Sequence, residues 1–376
     1  MKAYKYKLRV SRAVGQRLAA TLDVCRELYN AALAERRDAY RVAGVSLNYY
    51  TQANQLPDIK AERPDVADIH SQVLQDTLKR VQKAFDGFFR RIKIGEKAGY
   101  PRFRNKQRYD SFTFPQTGWK LEGDKLTLSK IGSVRARLSC PVEGRIKTCT
   151  IKRAVDGWFV IFAVEENQCR YFPKTGVNVG VDVGIENFAT LSTGEAIANP
   201  EYLRQAERAL KTAQRKVSRR KRGSHRRRKA VALLAKKYQK VKRQRLDFFH
   251  KLSLRLVREF DAVAFEDLNI QGMVKNHHLA KSISDAAWGT FISIHEGKAA
   301  NAGRRVVKVP ARFTSQDCSG CGTRVLKSLA TREHKCGACG LTLHRDHNAA
   351  INIRGRADRL AMSKDTLASD PRIPAL

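Results

Sequence analysis

Four of the chain's eight cysteines fall into one figure, Cys318, Cys321, Cys336 and Cys339, spaced C-x2-C-x14-C-x2-C. Each C-x2-C turn presents two converging sulfurs, and two such turns supply the four soft ligands of a tetrahedral Zn²⁺. A glycine follows each pair, Gly322 and Gly340, where a turn needs positive φ for its amides to face sulfur. Four protein ligands leave no position for water, so a structural zinc site is expected, within a zinc ribbon over residues 313–341. Disulfides or scattered core thiols are the rival readings, but disulfides belong to oxidising compartments. The basic N-terminus MKAYKYKLRV lacks the apolar stretch of a secretory leader. His334 is surplus to this ligand set, and Cys25, Cys140, Cys149 and Cys169 read as ordinary buried thiols.

Hydrophobic period divides the rest of the chain. Residues 15–43 carry Leu18, Leu22, Cys25, Tyr29 and Leu33 at helical spacing, with Gly44 placed to end the helix. Leu74, Leu78, Val81, Phe85, Phe88 and Ile92 make a second helical face, stopped by Gly95 and Gly99-Tyr100-Pro101. From Ser111 the period becomes two, and TCTIKRAV and WFVIFAVEE flank Asp156-Gly157, a strong hairpin signal. This predicts an antiparallel sheet or small barrel that includes the N-terminal strand, with the helical module as an insertion. After Pro173, VNVGVDVGI and NFATLST read as a hairpin or meander. A basic helical stretch over 200–258 follows, broken at Gly223-Ser224 into two helices. Then come a strand at 262–268, a helix opening near Ser284-Asp285, a strand RVVKVP at 305–310 and a last helix from Asp346. Strands, helices and strands in that order predict an α/β domain.

Charge points to the partner. The 376 residues hold 73 Lys+Arg against 36 Asp+Glu, a net charge of +37. Such an excess repels itself unless a polyanion neutralises it, and nucleic acid is the evident candidate. Residues 203–247 contain 19 Lys/Arg and only Glu207 and Asp247 as acids. Arg219, Arg220, Arg222, Arg226 and Arg227 crowd the break between the two helices, and YPRFRNKQRY adds Arg102, Arg104 and Lys106 among aromatics. The bland alternative for that second segment is a solvated connector. No apolar run reaches the ~18 residues of a membrane span, so a cytoplasmic, nucleoid-associated protein without membrane contact is expected.

With acids so scarce, their positions carry information. Asp182 interrupts an apolar strand, Glu266 ends another, and Asp346 opens a helix. Taken singly, Asp182 could cap a turn before Gly184, Glu266 could pair with a basic neighbour, and Asp346 could be an N-cap. Together they could converge on Mg²⁺, which prefers oxygen ligands and keeps water and substrate phosphate in its shell. Metal so held activates water for phosphodiester hydrolysis. The order Asp, Glu, Asp on strand, strand and helix fits a RuvC-like RNase H fold. Strand-joining DDE transposases run Asp, Asp, Glu instead, and HUH enzymes need His-hydrophobe-His, whereas His277-His278 are adjacent.

The strings GVDVGIENFAT, FEDLNIQGM, SISDAAWGTF, SQDCSGCG…CGACG and RDHNAAINI, with GYPRFRNK before SFTFP, resemble the TnpB family. These are transposon-encoded RNA-guided DNA endonucleases related to type V CRISPR effectors. The resemblance spans nearly the whole chain. It implies a multidomain α+β and α/β fold: an antiparallel wedge β-barrel (1–14 and 105–172) with an inserted helical recognition module (15–104). A RuvC-like RNase H nuclease (173–312 and 342–356) would follow, with the inserted zinc ribbon as a target-nucleic-acid finger and 357–376 as a tail. Asp182, Glu266 and Asp346 would be catalytic. The partners would be a guide RNA from the transposon end and target double-stranded DNA, both strands of which are cut beside a short adjacent motif. Cleavage would leave a 5′-phosphate and a 3′-hydroxyl. Tyr49 and Gln75 would contact the adjacent motif, and a monomer or weak dimer is expected. One departure is His344, where family members often carry an acid. Relatives that lost their acids act as guided DNA-binding repressors, and a non-catalytic zinc-ribbon binder of nucleic acid is the rival reading; this chain retains all three.

Overall fold

In β1 (Lys2–Arg9) the alternation is immediate, with Tyr4, Tyr6 and Leu8 buried while Lys5 and Arg9 face solvent. Ser11 caps α1 (Arg12–Ala43) by accepting the Val14 amide, and Gly44 ends the helix at a left-handed φ of 65°. Three short helices, α2 (Tyr49–Ala53), α3 (Leu56–Glu62) and α4 (Pro64–Ala67), lead to α5 (Ser71–Lys93). Leu18, Leu22, Cys25, Tyr29 and Leu33 of α1 share one core with Leu74, Leu78, Val81 and Phe85 of α5. The apolar row expected to continue along α5 leaves that core after Phe85: Phe88 is half-buried and Ile92 exposed, because the helix outruns its partners.

Six strands follow: β2 (Ser111–Phe114), β3 (Trp119–Glu122), β4 (Lys125–Leu128), β5 (Gly132–Arg137), β6 (Arg145–Ala154) and β7 (Gly157–Glu165). With β1 they make an antiparallel sheet in the order β2-β6-β7-β1-β5-β4-β3. The sheet curls into a nearly closed barrel, bringing Trp119 of the edge strand to 5.9 Å from the Phe162 ring of β7. The β6–β7 loop is Val155-Asp156, one residue earlier than the Asp-Gly signature, because Gly157 pairs with Ala154 in the ladder. Cys25 and Cys149 are buried, but Cys140 is exposed; it lies in the polar turn beyond β5, where its carbonyl accepts the Tyr6 hydroxyl at 2.9 Å.

This computed structural model describes residues 1–165, 171–328 and 331–368, in two units, 1–168 and 169–376. Cys169 and the end of the C-terminal segment lie outside the described residues. The second unit opens with a meander, β8 (Asn178–Val183), β9 (Asn187–Leu191) and β10 (Ala196–Ala198). The basic hairpin is α6 (Tyr202–Ser218) and α7 (His225–Glu259), the second helix capped by the Ser224 hydroxyl. Then come β11 (Ala262–Asp267), α8 (Ile270–Met273), α9 (Ala280–Ala286), α10 (Trp288–Asn301) and β12 (Arg305–Pro310). The longer helix expected to open near Ser284-Asp285 begins instead at Trp288, after Ala287 adopts a left-handed φ of 50° and ends α9. A small hairpin, β13 (Glu333–Lys335) and β14 (Thr342–His344), precedes α11 (Arg345–Ala368).

The sheet order is β10-β9-β8-β11-β12, with β8, β11 and β12 parallel and β9 and β10 antiparallel to their neighbours. Period-two alternation sends Val179, Val181 and Val183 of β8 and Val263 and Phe265 of β11 into one core with Phe249 of α7 and Phe291 of α10. The other face is covered by α11, whose Ile353 and Ala357 pack on Ala264 and Val309. Among the described residues, no helix is long and apolar enough to cross a membrane.

Candidate active site and metal centre

Gly180 explains how α11 reaches the sheet. A Cβ there would lie 2.1 Å from the Ala350 carbonyl oxygen and 2.6 Å from the Arg354 amide, so only glycine lets the helix backbone seat on β8. The helix runs against the strand direction, since Asn178 at the start of β8 donates to Asp358 at 3.1 Å. Two strand residues advance about 6.6 Å and four helical residues about 6 Å, so the step from Gly180 to Asp182 matches that from Ala350 back to Asp346. Both acids therefore meet at the carboxyl end of β8. Glu266 joins them from β11: Phe265 lies beside Val181 in the parallel ladder, which puts Glu266 beside Asp182 on the α11 side at the ~4.8 Å strand spacing.

Electrostatics records the convergence. Asp182 is half-buried and its carboxyl is held well above the ordinary carboxylate range, first by desolvation and then by Glu266 and Asp346, with Arg345 opposing. Glu266 is also raised, mainly by burial, against the Thr314 hydroxyl and Arg356. Thr314 donates to Glu266 Oε1, and Arg345 Nε pairs with Asp346 Oδ1 at 3.1 Å. Asp346 is buried and does not cap its helix: its amide donates to His344 Nδ1 at 3.3 Å, so the histidine holds the cap position. Asp182, Glu266 and Asp346 offer oxygen donors of the kind a hard divalent ion takes, with Arg345 and Arg356 as the cations beside them.

The four sulfurs lie within 4.8 Å of one another, and Cys318–Cys339 and Cys321–Cys336 are each 3.6 Å apart. A tetrahedron with Zn–S bonds of ~2.3 Å has edges of about 3.8 Å. Both knuckles are built alike: Gly322 and Gly340, at φ 79° and 75°, donate to the carbonyls of Cys318 and Cys336 at 2.9 Å. The cluster could therefore hold a structural metal such as zinc. His334 is buried on β13 and is not one of the clustered ligands.

The cationic candidates separate into two groups. Arg219, Arg220, Arg222 and Arg226 are exposed around the α6–α7 turn. Arg227 instead closes that turn, donating to the carbonyls of Val217 at 2.7 Å and Arg220 at 2.9 Å. In the connector, Lys106 pairs with Asp23 at 3.1 Å and Arg104 stacks 5.9 Å from the Tyr29 ring, so both tie this segment to α1, while Arg102 is exposed. Tyr49 lies 5.4 Å beneath Lys79, one turn beyond half-buried Gln75. Asp285, expected near a helix start, anchors the basic hairpin: it accepts the Leu203 amide at 3.1 Å and pairs with Arg245 at 2.5 Å. Nothing in its local sequence distinguishes it from a helix-opening acid.

Three family models match the chain: a probable transposase model of the OrfB_IS605 type over residues 161–277, a Cas12f1-like TNB domain over 288–353, and a helix-turn-helix domain over 1–44. The last segment forms a strand and one continuous helix here. A Cas12f1 chain solved by cryo-EM in a complex with sgRNA and target DNA superposes with a TM-score of 0.60 at 14% identity, over 92% of this chain and 83% of that one. The fold is thus that of the Cas12f-type effectors. A protein of Streptomyces pristinaespiralis named "Putative RNA-guided DNA endonuclease" is 35% identical over 361 residues, 94% of this chain and 88% of that protein. InsQ of Escherichia coli K12, named in the same way, is 27% identical over 373 residues, 94% of this chain and 91% of InsQ. Within that fold class, the chain belongs to the TnpB family.

Proposed function

We propose that this protein is an RNA-guided DNA endonuclease that cuts target DNA beside a short adjacent motif by Mg²⁺-dependent phosphodiester hydrolysis on a RuvC-like RNase H fold. The meeting of Asp182, Glu266 and Asp346 at the carboxyl ends of β8 and β11 supports this above all else. A binder of nucleic acid gains nothing from grouping three desolvated acids in so cationic a chain. Asp182, Glu266 and Asp346 would hold the metal, which when bound supplies positive charge for an activated water and for the leaving oxygen. The protein's own groups prepare that place. Thr314 fixes the Glu266 carboxylate, the α11 N-terminus favours negative charge beside Asp346, and Arg345 partly offsets the cluster.

In this account the four cysteines hold structural Zn²⁺. The exposed arginines of the α6–α7 turn and Arg102 engage phosphates of guide RNA and heteroduplex, while base pairing reads sequence. Tyr49 and Gln75 would face the adjacent motif. The barrel and its inserted helices would be the wedge and recognition modules. The test is to purify the protein with RNA encoded beside its gene and to assay a matching plasmid with Mg²⁺ or EDTA. Cleavage that needs Mg²⁺ and is lost in Asp182→Ala is expected. Equal cutting by Asp182→Ala refutes the site, and retention of the plasmid without cleavage by wild type supports the rival, non-catalytic reading.

A further inference from the structure

One stripe of α11 grips the segment that joins the two candidate metal centres. Asn348, Asn352 and Arg356 recur every four residues and so share a helix face. Asn348 accepts the Ser319 amide at 2.9 Å and donates to the Asp317 carbonyl at 2.8 Å. Asn352 donates to the carbonyls of Thr314 at 2.9 Å and Asp317 at 2.7 Å. Arg356 donates to the carbonyls of Pro310 and Arg312 at 2.8 Å each, and pairs with Asp317 Oδ2 at 3.0 Å. The other Asp317 oxygen takes Arg324 Nε at 2.9 Å. At one end of this segment stands Thr314, whose hydroxyl donates to Glu266; at the other stands Cys318 of the sulfur cluster.

Thr314 is 3% exposed, Cys318 2% and Asn348 0%. Only Ser315, Gln316 and Asp317 separate Thr314 from Cys318, and the Asp317 backbone is held from two asparagines. A shift of Cys318 therefore has no slack in which to dissipate before it reaches Thr314. Buried polar networks of this kind are rigid when every member is satisfied and costly when one is not.

We propose that the four-cysteine centre is a strut for the carboxylate centre: metal bound there locks residues 314–318 against the α11 stripe and so aims Glu266. Thr314, Asp317 and Asn352 are then positioning residues. This inference rests on the reading of Asp182, Glu266 and Asp346 as a divalent-cation site. It also gives a physical reason for the cysteine segment to stand between β12 and α11, the two elements that flank that site.

The test titrates the full-length protein with Mn²⁺, following free ion by electron paramagnetic resonance, with zinc content measured in parallel. Zinc-loaded wild type is compared with chelator-stripped wild type, Asn352→Ala, Thr314→Val and Asp182→Asn. Loss of an outer partner of a metal ligand weakens affinity by about 10-fold or more. That loss is expected on stripping and in both Asn352→Ala and Thr314→Val, whose zinc content stays at the wild-type level. Amide exchange across 314–318 should accelerate in stripped protein and in Asn352→Ala. Unchanged Mn²⁺ affinity in zinc-loaded Asn352→Ala and Thr314→Val overturns the strut, as does slow exchange after zinc removal. If wild type binds Mn²⁺ no better than Asp182→Asn, the carboxylate centre itself is misread and the strut falls with it.

Discussion

Substituting Gly180 with alanine adds one methyl group to β8 beneath the backbone of α11. That carbon would sit 2.1 Å from the Ala350 carbonyl oxygen, where real contacts do not fall below 3.0 Å, so helix and strand must separate by about 0.9 Å at that point. Neither partner is a side chain that can rotate away, because the second contact, 2.6 Å, is with the Arg354 amide. Overpacking of this kind costs about 1–3 kcal/mol, and a unit of this size loses roughly 2–4 °C of melting temperature per kcal/mol. The larger consequence is for chemistry. Asp346 rides on the displaced helix one turn from Ala350, and a ~1 Å misplacement of a reacting group can cost about 100-fold in rate. Gly180→Ala should therefore fold, bind guide RNA as wild type does, melt several degrees lower and cleave a matching plasmid about two orders of magnitude more slowly. Calorimetry and single-turnover cleavage with the purified RNA complex read these outcomes. Wild-type melting and wild-type cleavage together would refute the seating of α11 on β8 as the device that brings Asp346 to Asp182.

Asp182 and Glu266 are both raised, so the folded protein binds more protons than the unfolded chain above the ordinary carboxylate range. Without divalent metal, stability should be highest at low pH for these groups and fall as pH rises from ~4 through their raised values. Asp182→Asn should consequently melt higher than wild type at pH 7 without metal, and Mg²⁺ should stabilise wild type but not the variant, as thermal scans would report. Replacing Arg219, Arg220, Arg222 and Arg226 with alanine should weaken RNA binding and flatten its salt dependence by up to about 3 logarithmic units per decade, at ~0.7 per lost contact. Arg227→Ala should instead lower melting temperature with a change of at most about 0.7 in that slope, since its guanidinium closes the turn. Cys321→Ser should lose zinc in elemental analysis and destabilise the second unit, because Cys321 lies 3.6 Å from Cys336 in the sulfur cluster.

Features that depend on residue type and short spacing were legible from the sequence. The C-x2-C pairs with their glycines are of this kind, as are the helix end at Gly44, the break at Gly223-Ser224 and the acids set near the ends of apolar strands. The positions of Asp182, Glu266 and Asp346 on two strands and a helix could be read in this way and their meeting expected, although the packing that produces it could not. That meeting depends on Gly180, which looks like any glycine in an apolar strand until Ala350, 170 residues later, presses its carbonyl against it. Thr314, Asp317 and Asn352 were invisible for the same reason, since their partners are backbone groups brought near only by tertiary packing. Charge was legible, but the neighbours of each basic head group within the protein were not. Arg104, Lys106 and Arg227 read as phosphate ligands, yet each also has a partner within the protein. A basic residue's spacing does not say whether its head group points to solvent or to a neighbouring helix.

Anomalous diffraction from crystals grown with Mn²⁺ tests the central claim most directly. One or two strong peaks should appear between the carboxylates of Asp182, Glu266 and Asp346, within about 2.0–2.3 Å of oxygens from all three, and should vanish in Asp182→Asn. Peaks that avoid these side chains, or carboxylates that stay apart with no ion among them, would contradict it.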